Sequence, residues 1–562
     1  MAYWKSQNLK DVISSIKDEE FVLPVIQRRL KWDEDKIELL FNSLLKGYSF
    51  GAIIVLEEEK DSSPLFAFRK FCLDFSKKDD ALLSEDVPLL SRTQFFVIDG
   101  QQRLQSFYIG LCGSYNGKIL YFDLFSKFKE DEYEFKFNSP EKQKVLPTQK
   151  NFWYPTKDLY DRLSNVRDAP NVADEICAKH EIADGEKRRH VERNIQKFYE
   201  SIFRDDSVGI SRVTLNKERN PTENRQRMVE LFQRLNTEGI RLNTLDLVAS
   251  RLKGFDYRME DFLDTVVEEN KEIRLGQDEI VKLLMTLRDT PSLAITNLDA
   301  STSVEWANFA LNNSDKIKST LKTLREFLKA TNDYDWFNSK AGKKYSPVPL
   351  CILAYHIFYS EHADKDFADM RRWLRISLLN DVFAARGNGW DPTRTGLIQL
   401  HGVLKNYLSQ TFPVDELFTV YKENCKSIIF RSEITADNII DELTKSQKYI
   451  FYLIYGSKSE LLLGEADHIQ PRNLLLNYVV GNKLTEPMID SVANLEMLSR
   501  DDNRTKSDKK LKDWIKKQPD RQEYLERHLI PSDEALWRPT NFRQFLKARA
   551  QLIVNKINDS MK

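Results

Sequence analysis

The stretch QFFVID (94–99) followed by GQQRLQSFYIGL (100–111) constrains the fold more than any other part of the chain. Six residues of mainly apolar and aromatic character are too few for a core helix and read as a buried strand. Gly100 then permits a tight turn, and the apolar spacing that follows is helical. Further strand candidates lie at GAIIVL (51–56), KILYFDL (118–124) and VGISRVTL (208–215). A helix is expected from Asp33, its N-cap, to Gly47, its stop, with Ile37, Leu40, Phe41, Leu44 and Leu45 on one face. Another spans 222–236 with Met228, Val229, Leu231, Phe232 and Leu235 as its stripe, and Asn243 caps a helix through Leu252. The charged, irregular run 76–92 reads as a surface insertion.

Residues 1–255 are therefore expected to form a mixed α and β domain. From 256 to 430 the pattern becomes helical, as in a connector, with GNGWDP (387–392) as a loop inside it. Residues 431–562 form a third unit. The expected fold class is α+β and multidomain, since 562 residues exceed what one core holds. No internal repeat is evident.

Bulk composition excludes several classes. Hydrophobic residues at 41% and charged residues at 30% give a globular balance, and no apolar run approaches the length of a membrane span. The start, MAYWKSQNLKDV, lacks the layout of a secretion signal. Five scattered cysteines with no CxxC pair point to a reducing compartment and away from a thiolate zinc site. The expectation is a soluble cytoplasmic protein with no membrane partner. A net charge of −1 announces no general affinity for nucleic acid, so any such contact rests on local patches.

The densest polar constellation is near the C-terminus: EADHIQPRNLL (465–475), then SVANLEMLSRDDNRTKSDKK (491–510). Phosphodiester cleavage needs a base to activate water, and a divalent cation to stabilise charge. His468 is the only histidine between His401 and His528, and Asp467 directly precedes it. Neighbours on a strand point to opposite faces, so a bend or twist is needed to bring both to one site. Asn503 and Lys506 are three apart, which a helix places on one face. From Arg500 to Lys517, eight basic residues stand against four Asp.

Asp-His-Ile-x-Pro, then Asn-Leu-x-x-Leu, then Asn-x-x-Lys, resembles the HNH pattern of the ββα-metal nucleases. It is most similar to the HNH domains of RNA-guided CRISPR effectors and of GmrSD-type restriction enzymes. The resemblance implies that Asp467 and Asn503 ligate Mg²⁺ (or Mn²⁺) and that His468 is the general base. It further implies that Asn494 braces the loop bearing the histidine and that Lys506 lies near DNA phosphate. It also implies a ββα-metal nuclease set within a mainly helical domain.

Toward the N-terminus three pieces stand out: PVIQRRLKW (24–32), FFVIDGQQRL (95–104) and LFQRLNTEGIRLNTLDL (231–247). A helix start after Asp99–Gly100 offers free backbone N–H groups to an anion. Arg103 adds a fork of donors, and Asp99 would suit a cation. No Walker A loop is present. In their motifs and their order the three pieces resemble the ParB-like N-terminal domain of GmrSD-type enzymes, an α/β domain that binds and hydrolyses nucleoside triphosphates. That resemblance implies a pocket of Gln27, Arg28, Asp99, Gln101, Gln102 and Arg103, with Arg234 and Asn236 nearby.

Both resemblances on one chain imply a modification-dependent (type IV) restriction enzyme of anti-phage defence. It would act on modified phage DNA, with a nucleoside triphosphate as ligand and a homodimer left open. The alternative is an NTP-regulated DNA-binding protein with a silent nuclease. An RNA-guided effector is disfavoured, because the chain shows neither a second nuclease domain nor an arginine-rich guide-binding helix.

Overall fold

A computed structural model describes residues 3–27, 30–48, 51–75, 89–126, 132–216, 219–235, 244–290, 299–339, 346–360, 363, 365–408, 410–441, 447–456, 464–476 and 485–561. They form two compact units, Met1–Asp261 with Ile295–Asn308, and Phe262–Ala294 with Phe309–Lys562. The architecture is mixed α and β. Among the described residues no helix is long and apolar enough to cross a membrane.

The strands of the first unit are β1 (Tyr3–Gln7), β2 (Phe21–Pro24), β3 (Ile53–Glu58), β4 (Phe68–Arg69), β5 (Gln94–Asp99), β6 (Ile119–Asp123), β7 (Phe135–Asn138), β8 (Trp153–Pro155) and β9 (Val208–Thr214). Six of them make a mixed sheet in the order β1-β9-β3-β5-β2-β4, and β7-β6-β8 make a smaller antiparallel one. The run QFFVID is indeed strand β5, and its alternation supplies two cores. Phe96 and Ile98 pack with Val22, Leu56 and, from helix 221–235, Met228, Val229 and Phe232. Val97 faces the other way, among Phe21, Leu23, Val55 and Phe107. Helices therefore cover both faces of the sheet.

Three helices position the end of β5: α1 (Leu9–Lys17), α2 (Glu34–Leu45) and α3 (Gln101–Cys112). Asp33 caps α2 by accepting from the Lys36 N–H at 3.2 Å. Ile37, Leu40, Phe41, Leu44 and Leu45 are its buried face, and Gly47 follows at φ +73°, where a left-handed residue ends a helix cheaply. The expected cap Asn243 and most of the 76–92 insertion lie outside the described residues.

In the second unit, residues on both sides of position 430 belong to one body. Asn380 exchanges hydrogen bonds with the Arg431 backbone, accepting at 2.7 Å and donating at 2.9 Å. The buried carboxylate of Asp333 accepts from Tyr449 Oη at 3.0 Å and from Arg375 Nε at 3.2 Å. A buried charge needs such partners, and here they come from both the helical stretch and the segment after it. The loop 387–392 is anchored by Trp390, which is buried and donates its indole N–H to the Val382 carbonyl at 3.1 Å. Two further strands, β10 (Glu465–His468) and β11 (Leu495–Leu498), pair antiparallel in this unit.

Candidate functional site

Strand β10, strand β11 and the helix Arg500–Lys506 form a hairpin with a helix behind it. Ser499 starts that helix by accepting from the Asp502 N–H at 3.0 Å. The register sets Asp467 opposite Glu496 and His468 opposite Leu495. Asp467 and Glu496 therefore share a face, and Glu465, two residues earlier, shares it too. The helix lies on that face. Asn503 donates its amide N–H to Glu465 Oε2 at 2.9 Å, and Lys506 Nζ reaches Asp467 Oδ2 at 2.5 Å.

Lys506 is fully buried. Its ammonium meets three acceptors: Asp467, the His468 carbonyl at 2.5 Å and Glu496 Oε1 at 3.0 Å. Two of its three N–H donors are spent on the hydrogen bonds to Asp467 and the His468 carbonyl, and the contact with Glu496 is an ion pair. Sequence reading put Lys506 near phosphate. The structure instead turns it inward, because two carboxylates on the hairpin would otherwise face each other unneutralised.

Beneath this lies a second layer. Glu496 Oε2 accepts from Tyr524 Oη at 2.8 Å and sits 3.2 Å from His528 Nδ1. Burial would raise the Glu496 carboxyl, but Lys506, His528 and Tyr524 together outweigh it and hold it below its ordinary value. Burial pushes the His528 imidazole down to about 4, against the pull of Glu496. Arg549 of the C-terminal helix, also buried, donates to the carbonyls of Val492 at 2.9 Å and His528 at 3.2 Å.

His468 engages a different group. Its Nε2 lies 2.8 Å from Asp490 Oδ1, and Arg472 approaches the same oxygen at 3.4 Å. Asn494, buried, is tied to the turn after the histidine. Its side chain accepts from the Gln470 N–H at 3.0 Å, and donates to the carbonyls of Gln470 at 3.1 Å and Ile489 at 2.9 Å. Glu465, Asp490 and Glu496 escaped the sequence reading. Glu465 carried a signal, its i, i+2 spacing to Asp467; Glu496 shows only once the register is known.

Among the described residues no three His, Cys, Asp or Glu side chains form a ready metal cage. The hard oxygen donors on the shared face are Glu465, Asp467 and the Asn503 amide. One or two carboxylates with water filling the remaining positions is how Mg²⁺ is usually held, so the donor chemistry fits that ion.

In the first unit, β5 ends at Asp99 and Gly100 turns into α3 with φ +91°. A Cβ on Gly100 would stand 2.2 Å from Ile53 Cδ1, and one on Gly51 (φ +86°) would stand 2.7 Å from Arg103 Nη1. Both positions need glycine for backbone angle. Arg103 Nη2 donates to Asp99 Oδ2 at 3.1 Å and to the Ala52 carbonyl at 2.9 Å. Burial lowers the Arg103 pKa, with Asp99 opposing. Gln27, buried, donates to the carbonyls of Val97 at 3.2 Å and Ile98 at 2.6 Å. Gln102 Oε1 accepts from the Lys31 N–H at 2.8 Å. Gln27, Asp99, Gln102 and Arg103 thus gather around the end of β5, while Gln101 is buried and Arg234 is exposed. Arg28 and Asn236 lie outside the described residues.

Over nearly its whole length the chain is similar to an uncharacterized protein of Methanocaldococcus jannaschii, at 21% identity over 607 aligned positions covering 98% of each chain. Residues 9–253, which include all the described groups around the end of β5, match the family model of the N-terminal domain of the GmrSD restriction endonuclease. Through that segment the chain is similar to part of a restriction endonuclease.

Proposed function

We propose that this chain is a modification-dependent DNA endonuclease of prokaryotic anti-phage defence. In it a first unit that binds and hydrolyses a nucleoside triphosphate gates an HNH centre in the second. The observation that carries the reading is the β10–β11 hairpin with its helix, which sets Glu465, Asp467 and Asn503 on one face, with His468 the next residue of the strand after Asp467. The match of residues 9–253 to a restriction-endonuclease domain supports it.

The chemistry follows from the partners. Asp490 accepts from His468 Nε2–H, which leaves Nδ1 as the basic nitrogen able to take a proton from water. Asn494 fixes the turn that follows the histidine, and Lys506 fixes the carboxylate of Asp467. Asp467 and Asn503 would hold Mg²⁺ or Mn²⁺, which when bound stabilises charge on the phosphate and the leaving oxygen. Strand β10 ends at His468, so a phosphodiester across that end meets the imidazole from one side and the carboxylates from the other. In the first unit the start of α3 offers backbone N–H groups to nucleotide phosphate, with Arg103 beside it and Asp99 as the candidate cation ligand.

The test is cleavage of modified and unmodified phage DNA by the full chain in Mg²⁺, with and without nucleoside triphosphate. The proposal expects cutting that needs the cation, prefers modified DNA and changes rate with nucleotide. Equal cutting of both DNAs with no nucleotide effect would leave a simple nuclease and remove the gating.

A further inference from the structure

On the face shared by β10, β11 and the helix Arg500–Lys506, the polar side chains can be followed atom by atom. Asp467 offers Oδ2 to the Lys506 ammonium at 2.5 Å. Asn503 donates its Nδ2–H to Glu465 Oε2 at 2.9 Å. Among the described residues neither side chain has a further partner, which leaves Asp467 Oδ1 and Asn503 Oδ1 as open acceptors. Glu465 is placed differently. Its other oxygen, Oε1, lies 3.4 Å from Arg500 Nε, so both of its oxygens turn to the helix. Arg500 and Asn503 are three apart and present one helix face to it.

The two ends of a carboxamide are alike in size and opposite in chemistry. Packing therefore does not choose between them, and hydrogen bonding does. A carboxylate only accepts, so beside Glu465 the NH₂ end of Asn503 is the end that turns to β10. Its oxygen is the end left over. No other hydrogen bond of that side chain, among the described residues, makes the choice. The choice matters because a hard divalent cation takes the oxygen of an amide.

We propose that Glu465 is the positioning residue of this centre and not itself a metal ligand: by accepting from Asn503 Nδ2 it holds the carboxamide with its oxygen available to a divalent cation. The inference rests on the reading of this centre as a metal-dependent nuclease, and deepens it.

The test reads Mn²⁺ binding to the full chain by electron paramagnetic resonance, at fixed ionic strength and without DNA. Asn503→Ala first defines the component of binding that depends on Asn503. Glu465→Ala is then made in two backgrounds, wild type and Asn503→Asp, where a carboxylate presents oxygen whichever way it turns. Loss of a nearby negative charge acts in both backgrounds; loss of the amide's orientation acts only in the first. Glu465→Ala is therefore expected to weaken binding roughly three- to tenfold more with Asn503 than with Asn503→Asp, the net value of one hydrogen bond. Equal weakening in both backgrounds would make Glu465 a direct ligand or a nearby charge, and overturns the inference. No weakening in either overturns it too. Wild type with no Asn503-dependent binding overturns the metal-centre reading, and the inference with it, before Glu465 is changed. Should Glu465→Ala fail to fold, Glu465→Met, which keeps the length without the acceptor, takes its place in both backgrounds.

Discussion

At the end of β5 the polar side chains are held mainly by backbone, whereas around β10 they are held mainly by one another. Gln27 donates to two carbonyls of β5, Gln102 accepts from a backbone N–H, and Arg103 donates to both Asp99 and the Ala52 carbonyl. In the second unit Asp467, Lys506, Glu496, Tyr524 and His528 form a chain of side chains from the hairpin surface to the core. A backbone-held site changes residue by residue. A side-chain network in low dielectric changes as a whole, since each member neutralises or satisfies the next.

The strongest test of that contrast is Lys506→Met. It removes a buried ammonium from between two carboxylates, and loss of one partner of such a group costs about 3–5 kcal/mol. The melting transition of the second unit is expected to drop sharply and cleavage to vanish with it. A Lys506→Met protein with normal stability would break the contrast. The matching changes in the first unit are Asp99→Ala and Arg103→Ala. Nucleoside triphosphate binding, read by calorimetry, is expected to fall roughly tenfold or more through loss of charge-assisted contacts. The melting temperature should hardly move, because a partly exposed pair contributes at most ~1 kcal/mol. A large stability loss here would show that this site too is a network.

A smaller effect sharpens the comparison through pH. Glu58 is buried, and burial raises its pKa from 4.5 to about 7 against the hydrogen bond from the Leu65 N–H. Between those values the folded state holds the extra proton, so stability of the first unit falls as pH rises through the window and levels off above it. For His528, lowered from 6.5 to about 4, the unfolded state holds the extra proton. Stability of the second unit therefore rises with pH across that window. Thermal melts across pH should show the two transitions moving in opposite senses. Glu58→Gln should flatten the first and stabilise it by roughly 1–3 kcal/mol near pH 8. A first transition that still falls between pH 5 and 7 in that variant would contradict the assignment.

Much of the first unit was legible in the sequence because its signals are local. β5 is an apolar run closed by Asp-Gly, and α2 shows cap, stripe and stop within fifteen positions, 33–47. Strands β1 and β2 carried no such pattern: YWKSQ is polar, and FVLP is short and ends in proline. In the second unit the motif residues could be named, but not which way they point. Lys506 looks like a surface cation until the register puts Asp467 and Glu496 beneath it. The continuity across residue 430 rests on Asp333, whose partners Arg375 and Tyr449 are distant in sequence.

The central claim is that His468, oriented by Asp490 at the end of the strand that carries Asp467, is the base of a DNA-cutting centre. It is tested most directly by single-turnover cleavage of modified phage DNA in Mg²⁺ by wild type and His468→Ala, with nucleoside triphosphate hydrolysis measured on the same samples. The account predicts that cleavage falls by about 10²–10⁴-fold, as for loss of a general base, while nucleotide hydrolysis and the melting temperature stay as in wild type. His468→Ala that cuts at the wild-type rate would contradict it and place the chemistry elsewhere on the chain.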